Sequence, residues 1–142
     1  MELILGVVAD AANKGEGDKL NVLGIFEDLN VSRLPCAVPH MALALSMRAA
    51  PHDRGKPFDV KIFFLDPDGK KLFEIASILR ITSNLQILEP VAPLALNLFN
   101  VTLAKTGVHC FQVRVDGNIK GSIKLNVHLS AASQSGGEDG DA

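Results

Sequence analysis

The chain has 142 residues and a mass of 15.1 kDa, which is enough for one domain with one hydrophobic core. Hydrophobic residues make up 47% of the chain, enough apolar surface to offset the entropy of ordering it, which excludes wholesale disorder. The 14 basic and 16 acidic residues exclude an electrostatic nucleic-acid binder, which would carry a clustered excess of Lys and Arg. All seven aromatic residues are Phe, and without Trp or Tyr we expect no recognition of carbohydrate or single-stranded nucleic acid.

The first residues lack the features of a targeting segment. Glu2 follows Met1 where a signal peptide has basic residues, and the apolar run 3–9 ends at Asp10. No stretch approaches the roughly 20 apolar residues that a membrane span requires. We therefore expect a cytoplasmic protein that does not associate with membranes, in which Cys36 and Cys110 are free thiols.

The N-terminal third predicts a pair of strands. Residues 3–9 and 20–26 are mostly apolar, and the polar, glycine-rich segment 13–18 joins them. Gly6 and Gly24 lie inside these strands, where a glycine indicates a close backbone approach or a twist.

The next strands show the period of two that is typical of β-structure. A strand from residue 41 to 47 has one face of large apolar side chains and one of small ones. The large face comprises Met41, Leu43, Leu45 and Met47, and the small face comprises Ala42, Ala44 and Ser46. Residues 58–64 and 73–81 alternate in the same way and are joined by the sequence Asp-Pro-Asp-Gly at 66–69, which predicts a tight hairpin. The same sequence opens calcium-binding loops, but the later acidic ligands of such a loop are missing, so we favour the plain turn.

Two further strands and a terminal segment complete the chain. Over residues 94–98 the large apolar side chains lie at even positions, and from there on they lie at odd positions, at Phe99, Val101 and Leu103. This shift by one residue predicts a β-bulge near Leu98–Phe99. A last hairpin joins residues 111–115 to 123–129 through Asp-Gly-Asn at 116–118. About eight strands, with at most a helical turn near 85–88, predict an all-β fold, an antiparallel β-sandwich over residues 1–129. Residues 130–142 have no large apolar side chain and predict a disordered acidic tail.

Two segments carry a resemblance to known families. The pattern Leu-x3-Gly-x-His-x-Phe-x-Val-x-Val-Asp-Gly over 103–117 resembles the penultimate strand and hairpin of immunoglobulin-like sandwiches, which implies an immunoglobulin-like C-terminal half. Many of those domains have a corner Tyr two residues after the glycine, and here His109 would have to supply its hydrogen bond. With the hairpin and the final strands, the segments Ala-Asp-Ala-Ala-Asn at 9–13 and Leu-Asn-Val-Leu-Gly at 20–24 resemble a family of uncharacterised prokaryotic proteins of unknown function. That resemblance spans roughly residues 2–129 and implies no activity.

The residues offer little catalytic or metal-binding chemistry. No two of the four histidines are spaced i, i+2 or i, i+4, and the adjacent His109 and Cys110 point to opposite faces of a strand, so we expect no metal site. No nucleophile elbow, catalytic cysteine signature or phosphate loop occurs, so we predict no catalytic residues and no cofactor. Asp10 has two interpretations, a ligand-binding carboxylate or a partner for backbone amides where the strand turns out of the sheet, and we favour the second.

These observations predict a non-enzymatic binding or assembly module. One alternative is a small-ligand-binding protein or enzyme with a pocket at one end of the sandwich, near Asp10, His40 and His109. Another is a component of a phage-derived or other multi-protein assembly. We expect a homo-oligomer, most simply a two-fold dimer, although an unidentified protein partner fits the same observations.

The predicted interface lies on an outer sheet face that lacks the polar residues normally found there. Its residues are Ala42, Ala44, Phe63 and Ile78. The competing interpretation is that the connection over 85–93 covers this face within one chain.

Overall fold

The computed structural model describes residues 1–81 and 89–130. The helical turn near 85–88 and, apart from Ser130, the acidic tail lie outside these residues. Nine strands form the described chain, and it contains no α-helix. They are β1 (Glu2–Lys14), β2 (Leu20–Phe26), β3 (Asp28–Val31), β4 (Cys36–Arg48), β5 (Pro57–Leu65), β6 (Lys71–Arg80), β7 (Val91–Leu103), β8 (Gly107–Val115) and β9 (Asn118–Leu129).

The strands form two packed sheets. One sheet has the order β2-β1-β4-β7 and the other the order β3-β9-β8-β5-β6. The all-β sandwich is thus confirmed, with nine strands instead of about eight. The additional strand is β3, which has four residues and pairs with β9 in parallel, so the sandwich is not wholly antiparallel.

The core lies between the large apolar faces that the alternation predicted. On the four-stranded sheet it is formed by the inward residues of β4, and on the five-stranded sheet by those of β5, β8 and β9. The buried residues are Met41, Leu43, Leu45 and Met47 on one side and Val60, Ile62, Phe64, Phe111, Val113 and Leu125 on the other. Gly6 allows the sheets to approach closely near this core, because a Cβ there would lie 2.7 Å from Ile123 Cγ1.

The small face of β4 is covered by the chain itself, which corrects the predicted interface. Ala42 and Ala44 are fully buried, and they pack with a third buried alanine, Ala12. Around them lie Val7, Leu20, Val22 and Ala95. Ala12 pairs with Val22 near the tip of the β1–β2 hairpin. That hairpin curls over the outer face of its own sheet, because β2 approaches β7 although two strands separate them in the sheet order. The alanines leave room for the hairpin, so neither a second copy nor the 85–93 connection is needed to cover them.

The phase shift in β7 is present but lies one residue beyond the predicted bulge. Leu98 and Val101 are both buried, whereas Phe99 is 67% exposed. The two strands β4 and β7 stay in register through this region. The change of phase comes from Asn100, which has a φ of 55°. This backbone conformation changes the face on which the following side chains lie, and no extra residue is inserted into β7. Phe99 therefore faces outward and does not share a face with Val101 and Leu103, as the predicted phase had placed it.

The two predicted hairpin turns are confirmed by the pairing of β5 with β6 and of β8 with β9. In the first turn, the Asp66 side chain is buried and its Oδ1 accepts hydrogen bonds from the backbone N–H groups of Asp68 and Lys70, both at 2.9 Å. Its Oδ2 lies 3.4 Å from Lys105 Nζ, which ties the turn to the loop before β8. This carboxylate holds the turn, as the plain-turn interpretation requires.

We predict that Asp66→Asn lowers the melting temperature at neutral pH by roughly 5 °C. The Lys70 N–H lowers the pKa of Asp66 most; burial opposes that effect, and Asp68 and Lys105 lower the pKa further. Because the folded-state pKa is depressed, the ionised carboxylate stabilises the fold above the unfolded-state value near 3.8, and this stabilisation is lost as the pH falls through the folded-state pKa. In thermal melts between pH 7 and pH 3, the difference in melting temperature between wild type and variant is therefore expected to shrink as the pH falls.

The control for this prediction is Asp10→Asn, since Asp10 is exposed and makes no hydrogen bond within the described residues. It is expected to leave the melting temperature nearly unchanged at every pH. A difference between wild type and Asp66→Asn that persists unchanged to pH 3 would show that the Asp66 carboxylate does not act through its charge.

Candidate binding surface

The three residues predicted to bind a ligand lie in different parts of the sandwich. His109 is buried in the core, where its ring stacks on Phe64 with centroids 5.5 Å apart. Its Nδ1 lies 3.2 Å from the carbonyl oxygen of Gly107, two residues earlier in the chain. The ring and its Nδ1 are thus engaged in the core.

Asp10 is exposed. It lies opposite Gly24 of β2, where a Cβ would overlap the Asp10 carboxylate, and Gly24 has a φ of 71°. The strand does not turn out of the sheet here, because β1 continues to Lys14. At the same hairpin, Asn13 Oδ1 accepts a hydrogen bond from Asn21 Nδ2 at 2.9 Å, so the predicted backbone contacts are replaced by one between side chains.

His40 is exposed and contacts β7. Its Nε2 lies 3.1 Å from Asn97 Oδ1, and its ring centroid is 5.0 Å from that of Phe99. The three side chains form a small cluster on the outer face of the four-stranded sheet, beside the tip of the β1–β2 hairpin. His40 is the one predicted ligand residue that lies at a surface with an exposed aromatic ring.

The strand beneath this cluster, β7, is the last strand in the order of its sheet. Among the described residues, β7 has a neighbour, β4, on one side only. Its 13 residues include no charged side chain. Natural edge strands are normally protected by charges, prolines, bulges or shortness. In β7 such features occur only at Pro93 and Asn100, so the segment between them, 94–99, is an unprotected edge.

The edges of the five-stranded sheet are protected, whereas β2, the other edge of the four-stranded sheet, also carries no charge. The edge strand β6 of the five-stranded sheet carries Lys71, Glu74 and Arg80. β3 has four residues, and β2 has seven with Gly24 interrupting its regular backbone. The 94–99 edge thus differs from that of β2 in its backbone, which no positive-φ residue interrupts.

A groove runs between this edge and the neighbouring edge of the other sheet. Its cavity volume is about 620 Å³. Its lining is mostly apolar and consists of Leu72 and Phe73 of β6, residues 97–102 of β7, and Ala104. Leu94 and Leu96 are half-buried against the core along the same strand. Sequence reasoning missed this surface, although the absence of charge over 91–103 was a visible signal.

The remaining predicted interface residues lie elsewhere. Phe63 is half-buried on the outer face of the five-stranded sheet, with Lys71 Nζ 4.5 Å and Arg114 Cζ 4.4 Å from its ring centroid. These two cations cover much of the ring. Ile78 is 69% exposed on β6. The four predicted residues thus do not form one surface.

Cys36 and Cys110 are free thiols in different surroundings. Cys36 packs against the core, whereas Cys110 lies on the outward side of β8, next to the buried His109. Burial raises the pKa of the Cys110 thiol.

Within residues 1–81 and 89–130, no three His, Cys, Asp or Glu side chains come together as a possible metal site. No helix in that part of the chain has the length and apolar character needed to cross a membrane.

Comparison with known proteins places the chain in a family. The profile of a family of unknown function (DUF6941) matches residues 4–128, which is nearly all of the described sandwich. The chain belongs to this family. No curated protein matches the DUF6941 chain. The predicted membership of a family without an assigned function is thereby confirmed.

Among solved structures, the DUF6941 chain is similar to the Pseudomonas fluorescens alkylpurine DNA glycosylase AlkC bound to DNA containing an abasic site analog. The identity is 12% and the TM-score 0.42, over 87% of this chain and 30% of the glycosylase chain. The DUF6941 chain thus matches less than a third of that protein, and a likeness at this level does not define a function.

Proposed function

We propose that this protein is a non-enzymatic cytoplasmic module that binds a protein partner by strand addition to β7. The observation that carries the proposal is the uncharged edge over residues 94–99, which pairs with β4 on one side and with no other described strand. The exposed ring of Phe99 and the apolar groove beside the edge support the same function. The free thiols of Cys36 and Cys110 fit a reducing compartment.

Strand addition suits this edge energetically. An edge strand presents unpaired N–H and C=O groups, and each main-chain hydrogen bond to an added strand contributes roughly 0.5–1.5 kcal/mol net. Side chains at alternate positions then decide which segment fits. Here Phe99 offers an apolar ring on the outer face, while Leu94 and Leu96 offer apolar contacts toward the core. The edge therefore suits an extended segment whose apolar residues alternate.

Site-specific photo-crosslinking in cells tests this function. A photoreactive phenylalanine analogue is placed at position 99, and in a matched control at position 78. The two native side chains are almost equally exposed, at 67% and 69%, and both lie on strands that form a sheet edge. We expect a discrete crosslinked protein adduct from position 99 and none from position 78.

The adduct is digested and its peptides are identified by mass spectrometry. An extended segment attached at position 99 supports strand addition. Absence of any adduct from position 99, or equal adducts from both positions, would refute binding at the β7 edge.

A further inference from the structure

We infer that the partner strand at β7 is β7 of a second copy, paired antiparallel about a two-fold axis at Asn97. This inference rests on the proposed function and names its partner. The resulting dimer joins the two four-stranded sheets into one continuous sheet of eight strands.

The register follows from the alternation of β7. In a two-fold antiparallel pair, directly opposite residues face the same side of the sheet, so residue 97 meets its own copy and 95 meets 99 of the second copy. On the outer face this sets the small Ala95 of each copy opposite the large, exposed Phe99 of the other. On the inner face it sets Leu96 opposite Leu98. Apolar side chains thus meet apolar side chains at every position flanking the axis.

Asn97 is suited to the axis itself. Its side chain is exposed and uncharged; His40 Nε2 lies near its Oδ1, but the amide nitrogen still has two donors and the oxygen a second lone pair, so two copies can pair with each other. A charged residue on the axis would face the same charge and oppose pairing. The paired segment ends where the strand becomes irregular, because Leu94 meets Asn100, whose φ is 55°. If the two-fold axis lay at residue 96 or 98 instead, Phe99 would lie opposite Pro93 or Asn97 of the second copy. The pairing of the large Phe99 with the small Ala95 would then be lost.

The surroundings of β7 fit a second copy. No charged side chain occurs anywhere on its 13 residues, so identical strands meet without like-charge repulsion. The Phe99 ring, 67% exposed in one chain, would be covered in the dimer by the Ala95 region and the adjoining hairpin tip of the second chain.

A charge-swap experiment on the full chain tests the axis. Light scattering coupled to size exclusion at tens of micromolar is expected to give wild type a mass of about twice 15.1 kDa. Asn97→Lys alone and Asn97→Asp alone each place like charges opposite one another and are expected to give about 15.1 kDa. An equimolar mixture of the two variants is expected to recover the dimer, since opposite charges then meet. Ile78→Lys, the control on β6, is expected to remain dimeric.

Several outcomes would overturn the inference. They are a monomeric wild type, a dimer that survives both single substitutions, and failure of the mixture to recover the dimer while circular dichroism shows both variants folded. If wild type is monomeric but position 99 crosslinks to a different protein in cells, strand addition stands and the second copy is wrong. If neither occurs, both proposals fail.

Discussion

Replacing Phe64 by alanine is expected to lower the free energy of unfolding by about 3–5 kcal/mol. Phe64 is fully buried, and its ring lies within about 5 Å of the rings of Phe73 and Phe111, with centroids at 5.1 and 4.6 Å. The stacked His109 ring lies on it as well. Truncation leaves a cavity that these three packed side chains cannot close. Because domains of this size are stable by only about 5–15 kcal/mol, much of the stability is lost.

Urea denaturation followed by circular dichroism measures this effect. The control is Ile78→Ala, which removes a side chain that is 69% exposed and is expected to change the stability by less than about 0.5 kcal/mol. A loss below about 1 kcal/mol for Phe64→Ala would contradict a core centred on this ring.

The second large effect is expected from Ala44→Leu, at about 1–3 kcal/mol of lost stability. Ala44 is fully buried under the β1–β2 hairpin, so three added carbon atoms push against Ala12 and its neighbours. The matched control is Ala76→Leu on β6, the same substitution at an exposed alanine of the other sheet. It is expected to be nearly neutral.

The stabilities of Ala44→Leu and Ala76→Leu together show whether the hairpin covers the face of β4 that carries Ala42 and Ala44. If Ala44→Leu is as neutral as Ala76→Leu in urea denaturation, the hairpin does not cover the face in solution. The original prediction of an interface at Ala42 and Ala44 would then regain its basis.

The central hairpins were predictable because each strand has one apolar face and each turn has distinctive residues. Met41 to Met47, Phe58 to Phe64 and Phe111 to Val115 bury their alternate residues as expected. The strand β3 was not predictable in the same way. It has four residues, and its parallel partner β9 lies about a hundred residues further along the chain, so no local alternation or turn indicates the pairing.

Two surface features escaped prediction for different physical reasons. The burial of Ala42 depends on the curl of the β1–β2 hairpin, and the pattern of β4 contains no information about that curl. The exposure of Phe99 depends on the backbone of Asn100, whose positive φ changes which face the alternation reaches. Asparagine adopts a positive φ more readily than most residues, so Asn100 was a weak indication of this conformation. The alternation of apolar residues gave no sign of it.

The candidate site was only partly visible in the sequence. The absence of charge from Val91 to Leu103 was visible, but it marks a binding surface only if the strand is a sheet edge, and strand order is set by pairings far apart in the chain. His109 was singled out by its place two residues after Gly107, and the structure sets its Nδ1 3.2 Å from the carbonyl oxygen of that glycine. Its place in the core, like the exposure of Asp10, follows from which face of the sheet meets the second sheet.

The pairing of β7 with a second copy is tested most directly by hydrogen–deuterium exchange of the backbone amides over residues 91–103. In wild type, the amides of 94–99 that point away from β4 are expected to exchange slowly at high protein concentration and fast on dilution. In Phe99→Lys they are expected to exchange fast at both concentrations, while the amides of the buried strand β5 stay protected throughout. Exchange over 94–99 that is independent of concentration in wild type would contradict the account.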